Sequence, residues 1–239
     1  MAFVENARPA REPIFRVPAA VVTLIGVLAA AHAARILSPN PDRIVEDYAL
    51  VPALYSAAAL KALGAAAPGL FDRIVPLFSS IFLHANVTHL AVNCVWLLVF
   101  GPVIARRFGA VAFFLFFLLC GVAGSAAFVA LNWGQSVGAI GASGAISGLM
   151  GGAIRMMDIR QPYLNVAALQ PLYARQVLTF TAIWMVVNFV AGYFAIGTFG
   201  AVQAIAWQDH MGGYIAGLLL AGPFEYFVGP SAKVRRAGA

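Results

Sequence analysis

The chain has 239 residues, 62% hydrophobic and only 10% charged, with a mean hydropathy of +0.87, which excludes a soluble globular domain and points to a membrane protein with several spans. The formal net charge of +6 does not indicate a nucleic-acid partner, because topology governs where a membrane protein carries its basic residues. Both cysteines, Cys94 and Cys120, fall inside apolar runs, which excludes a secreted disulfide framework and leaves no metal-ligand spacing.

In chain order, residues 1–16 read as a short cytoplasmic tail carrying Arg8, Arg11 and Arg16. The first apolar run covers 17–37. Its Ala31-His32-Ala33 has the pattern of a signal cleavage site, but the run is long for a signal peptide and continues to Leu37, so a retained span is expected. Residues 38–76 form a long first loop with apolar positions suited to short interfacial helices. Further apolar runs follow at 77–104, 108–131, 143–158, 176–196 and 209–228, against the ~20 helical residues that cross a ~30 Å hydrocarbon core. The expected fold is an all-α membrane bundle of six transmembrane helices with a short central fourth helix, occupying 17–230 as one domain, before a basic cytoplasmic tail at 231–239. Six spans put both ends on one side. With that side cytoplasmic, the inner segments hold eleven Lys and Arg residues and the outer segments four, namely Arg35, Arg43, Lys61 and Arg73. This asymmetry predicts both termini inside.

Polar residues within the apolar runs are the functional candidates, since such groups are costly in hydrocarbon. At 1.5 Å per residue, Ser143 lies about 18 Å from Arg155, Asn93 about 20 Å from Arg106 and His210 about 22 Å from Glu225, so all three sit at similar depth. The fourth run, from Ser143 to Met157, spans only about 21 Å. Its outer end must begin below the membrane surface, and the Gly138-Ala139-Ile140-Gly141 segment before it then implies a hydrated cavity. Gly144, Gly148 and Gly152 recur every four residues on the fourth span, as do Gly213, Gly217 and Ala221 on the sixth. Facing stripes of small residues allow close helix approach, which would bring Ser143 and His210 together. His89 and Asn93 share a helix face and are suited to donate hydrogen bonds to an oxyanion at Ser143, alongside its backbone N–H; an interhelical hydrogen bond is the alternative for His89. His84 lies nearer the outer surface, where organising the first loop suffices to explain it. Asn188 reads as an interhelical packing or hydrogen-bonding residue. Asp209 points about 100° away from His210 on the helix, which suits a helix-start carboxylate at the cavity better than a triad acid.

Three motifs, His84-x4-His89-x3-Asn93, Gly141-Ala142-Ser143-Gly144 and His210-x2-Gly213-x3-Gly217-x3-Ala221, resemble in order and span placement those of the rhomboid intramembrane serine proteases, over about 75–222. The resemblance implies a dyad with Ser143 as nucleophile and His210 as general base and then acid. It also implies an oxyanion and substrate-binding region of His89, Asn93, Gly141 and the Ser143 backbone, with no metal or cofactor. The implied partners are transmembrane protein substrates and membrane lipid, in a multi-pass protein of a bacterial inner membrane, a source suggested by the excess of Arg over Lys and abundant Ala. Three departures stand out: Ser147 replaces an aromatic residue that stacks on the histidine in some members, the first loop has no tryptophan, and Asp209 replaces a common alanine. A carboxylate beside the histidine would favour its charged form, so a shifted pH optimum relative to Asp209→Ala is expected. The competing expectations are a silent helix-binding member, against which intact Ser143 and His210 argue, and a small permease with Ser, His and Asn along its path.

Overall fold

The computed structural model describes residues 17–157, 169–198 and 206–230. The expected tails at 1–16 and 231–239, Arg160 and most of the loop before the last span lie outside them. The described residues form α1 (Ala19–Ile36), α2 (Pro41–Tyr48), α3 (Ala57–Ala62), α4 (Leu70–Ser79), α5 (Val87–Phe108), α6 (Ala110–Leu131), α7 (Ser143–Ile154), α8 (Arg175–Thr198) and α9 (Trp207–Phe227). Short 3-10 turns at Pro52–Tyr55 and Ser80–Phe82 complete the first loop. In length and composition α1, α5, α6 and the Arg175–Gly192 part of α8 can cross a bilayer. Helix α9 is 21 residues long but carries Asp209, His210 and Glu225, and α7 has only 12 residues.

The apolar run at 77–104 is not one helix. Its first residues belong to α4 and the following 3-10 turn, and the chain restarts at α5, where the Asn86 side chain accepts the His89 backbone N–H at 2.8 Å. A side-chain cap of this kind satisfies an orphan donor and fixes the helix start, so the second span begins ten residues later than hydropathy suggested. The fourth helix also ends earlier, at Ile154. Helices α5 and α6 meet at Gly109, whose φ of 86° lies in the left-handed region that glycine enters without steric cost.

Helix α7 is the centre of the bundle, and Gly144 through Ile154 are all buried. Around it lie α5, α6 and α9, with Phe113, Phe116, Phe117, Leu97 and Ile104 in the shared apolar core. Helix α1 adds Val21, Leu24 and Leu28 to that core and meets α5 closely, since a Cβ on Gly101 would stand 3.1 Å from Val21 Cγ2. Large apolar side chains such as Val95 and Leu98 on α5 and Ile183 and Val186 on α8 are exposed, the arrangement of helices whose outer faces meet lipid.

The glycine stripes make the expected close contact at their first two levels. A Cβ on Gly213 would run into the Gly144 carbonyl, and one on Gly217 into the Gly148 carbonyl. At the third level the expectation fails: Gly152 faces Phe116 of α6 and Ile104 of α5, and it is Gly151 that lies against the Tyr214 carbonyl of α9. Because 3.6 residues make one turn, a strict four-residue repeat drifts around the helix and leaves the interface after two turns.

At the end of the bundle away from Ser143, Arg107 Nε donates to Glu225 Oε2 at 2.7 Å and Arg155 Nη1 donates to the Leu218 carbonyl at 2.6 Å. These ties hold α5, α7 and α9 in register. They support the equal-depth placement of Asn93, Ser143 and His210.

Candidate active site

Ser143 is the first residue of α7, and the loop leading to it is fixed from both sides. Leu50 and Ala139 exchange backbone hydrogen bonds at 3.1 and 2.9 Å, and Gly141 N–H donates to the Ser80 carbonyl at 2.8 Å. Gly141 has φ of 130°, a conformation that side chains rarely adopt. A Cβ there would lie 2.8 Å from His89 Cε1 and 2.9 Å from His89 Nε2, with Ser143 Oγ 3.7 Å away. Glycine therefore lets the imidazole of His89 press against the backbone beside the serine hydroxyl.

A cavity of about 590 Å³ opens in front of this loop, lined among others by His89, Asn93, Gly141, Ser143, Ser147, Trp184, Asp209 and His210. All five site residues expected from the sequence thus border one space. The polar side chains on its wall suit the hydrated cavity expected from the irregular backbone at 138–141. Among the described residues no hydrogen bond joins Ser143 to His210. Such bonds are often long in a free enzyme and tighten when substrate is bound.

On α5, His89 is half-buried and Asn93 is buried. The Asn93 side-chain amide donates to the His89 carbonyl at 2.9 Å, which uses one of its two N–H groups and leaves the other for the cavity. His84 is fully buried and stands edge-on to His89 with ring centroids 5.2 Å apart. The adjacent Ala85 carbonyl accepts from Arg35 Nη2 of α1 at 2.9 Å. His84 thus packs against the ring of His89 on α5.

On α9, Asp209 and His210 diverge as their helical spacing requires. The Asp209 carboxylate lies against Gly144, in the first turn of α7. It approaches the start of α7 from a different helix, placing negative charge where the helix dipole favours it. His210 turns the other way, and its Nδ1 lies 2.8 Å from Asn188 Oδ1 of α8. The same Asn188 donates through Nδ2 to the Trp207 carbonyl at 2.9 Å. Asn188 was read from the sequence as an interhelical residue, and it is one, but its partner is the candidate catalytic histidine. The available signal was an amide in the middle of an apolar helix. Ser147 is buried below the site and brings no ring to the imidazole.

Cys120 is buried against Gly148, and both cysteines are free. Among the described residues no cluster of three His, Cys, Asp or Glu side chains is arranged to hold a metal.

Comparison with known proteins follows the same segment of chain. A family model described as the Rhomboid domain matches residues 72–226. RHOMBOID-like protein 4 of Arabidopsis thaliana is 31% identical over 144 residues, 60% of this chain and 32% of that protein. RHOMBOID-like protein 1 of the same plant is 29% identical over 154 residues, covering 64% of this chain and 35% of its own length. Rhomboid protease GluP of Bacillus subtilis (strain 168) is 29% identical over 145 residues, 61% of this chain and 25% of that protein. The chain spans about a third of the length of the plant relatives it matches.

Proposed function

The chain belongs to the rhomboid family, an assignment that makes it an integral membrane protein, and on that premise we propose that it is an intramembrane serine endopeptidase. The observation that carries the proposal is Ser143 at the start of a buried helix, sharing one cavity with His210 of α9. Ser143 Oγ attacks the scissile carbonyl while His210 Nε2 takes its proton, and His210 then returns that proton to the leaving amine. Water entering the same cavity hydrolyses the acyl-enzyme by the reverse use of His210. The tetrahedral oxyanion is met by the Ser143 backbone N–H at the α7 N-terminus, the remaining Asn93 N–H and the His89 ring, with Gly141 giving the close approach. These side chains suffice for the chemistry without a metal or cofactor.

Substrates are transmembrane segments of other proteins. The helix must be locally unwound to present an extended peptide bond, so helix-weakening and small residues near the cut are favoured. With six spans, α7 and α9 being the fourth and sixth, both termini share one side of the membrane, and the distribution of Arg and Lys supports the cytoplasmic side of a bacterial inner membrane. Reconstitution with a panel of single-span reporter substrates in proteoliposomes tests the proposal: cleavage by wild type and none by Ser143→Ala is expected. Cleavage that persists in Ser143→Ala would contradict it.

A further inference from the structure

Helix α8 contacts α9 through a short antiparallel zipper, one member of which touches the histidine. Thr181 Oγ1 and Tyr214 Oη are hydrogen-bonded at 2.9 Å, the Trp184 and Tyr214 rings lie 6.4 Å apart, and Phe189 meets the Trp207 ring edge-on at 5.5 Å. Gly192 leaves no room for a Cβ beside Trp207. Asn188 sits within this row and is buried. Its position relative to His210 is therefore set by four neighbouring contacts.

The two hydrogen bonds of Asn188 also fix which way its amide faces. Reversing it would set the amide oxygen against the Trp207 carbonyl, two acceptors with no proton between them. With Nδ2 committed to Trp207, the atom facing His210 is an oxygen, which can only accept. The imidazole must then carry its proton on Nδ1, and Nε2 keeps its lone pair for the cavity that Ser143 borders. We infer that Asn188 is a positioning residue that selects the Nδ1–H tautomer of His210 and holds the ring against α8. Here α8 supplies the restraint on the imidazole that Ser147 is too small to give. The inference rests on the proposed Ser143–His210 chemistry for its consequence, though not for its geometry.

Two readouts separate these. In protein carrying 15N-histidine, the four imidazoles are resolved in detergent micelles and the His210 signals are identified by their absence from His210→Ala. An Nδ1–H tautomer is expected for His210 in wild type and in Asn188→Asp, which keeps the acceptor and gives up the Trp207 bond. In Asn188→Leu, of similar volume but without an acceptor, the tautomer is lost. Fluorophosphonate labelling of Ser143 should be at least about tenfold slower in Asn188→Leu, a share of the 10²- to 10⁴-fold that general base catalysis contributes, and intermediate in Asn188→Asp. An Nε2–H tautomer in wild type, wild-type labelling by Asn188→Leu, or equal losses in both variants would overturn the inference. A tautomer that switches as expected in a protein that never labels would uphold it and count against the protease reading.

Discussion

Asp209 shows how one side chain changes its meaning between sequence and structure. Beside His210 in the chain it suggests an acid for the histidine, yet its carboxylate lies against Gly144 while the imidazole turns to Asn188. Asp209→Ala removes the negative charge that lies at the N-terminus of α7. A fall in thermal stability of up to about 1 kcal/mol is expected, the usual worth of a charge that complements the helix dipole, together with slower labelling of Ser143. A shift in pH optimum accompanies it only as far as the carboxylate's field reaches His210; identical pH profiles for the two proteins would assign Asp209 wholly to the start of α7. Ser143, His210, His89 and Asn93 were legible as candidates because polar groups at matched depth in apolar helices are rare. The partner of Asn188 was not, since it depends on how α8 is rotated against α9, and a sequence with no marked polar face on α8 does not record that rotation.

Among the elements, the α7 and α9 pair carries the site, and its contact is backbone against backbone. Gly217→Ala would drive a methyl group into the Gly148 carbonyl, which cannot move without unwinding α7. A destabilisation of at least 1–3 kcal/mol, the range for overpacking, and loss of labelling by separation of Ser143 from His210 are expected. Gly152→Ala instead meets the edge of the Phe116 ring at 2.8 Å, a side chain able to shift, so its effect should be smaller. Thermal melts of the two variants in the same detergent compare them directly, and equal losses would contradict the assignment of Gly152 to the α6 side. The existence of these helices was readable from hydropathy. Their starts were readable only where a cap marks them, as Asn86 does for α5; without weighing that cap, the apolar residues of α4 merge with the span that follows.

For the molecule as a whole, the two ends of the bundle have different duties. The end with Ser143 is irregular and polar, whereas the opposite end is tied by the Arg107 and Glu225 pair, whose side chains are almost fully buried. Breaking a buried pair costs about 3–5 kcal/mol because it strands a charge. Glu225→Gln, which keeps the shape but not the charge, should lower thermal stability by an amount approaching that range. Labelling per folded molecule should hardly change, since about 22 Å of helix separates residue 225 from His210. A labelling defect as large as the stability defect would mean that the two ends are coupled. The all-helical membrane architecture followed from composition and span length, and the central place of α7 from its shortness. The folding of the first loop back onto the serine loop, through Leu50 and Ala139, lies between segments 89 residues apart and leaves no periodic trace in either.

The central claim is that Ser143 is an activated nucleophile, and the most direct measurement is fluorophosphonate labelling of the purified protein in detergent, read by intact mass. One adduct on wild type and none on Ser143→Ala or His210→Ala is the predicted result. A folded wild-type protein that stays unlabelled while a small polar reagent reaches the cavity would contradict the account.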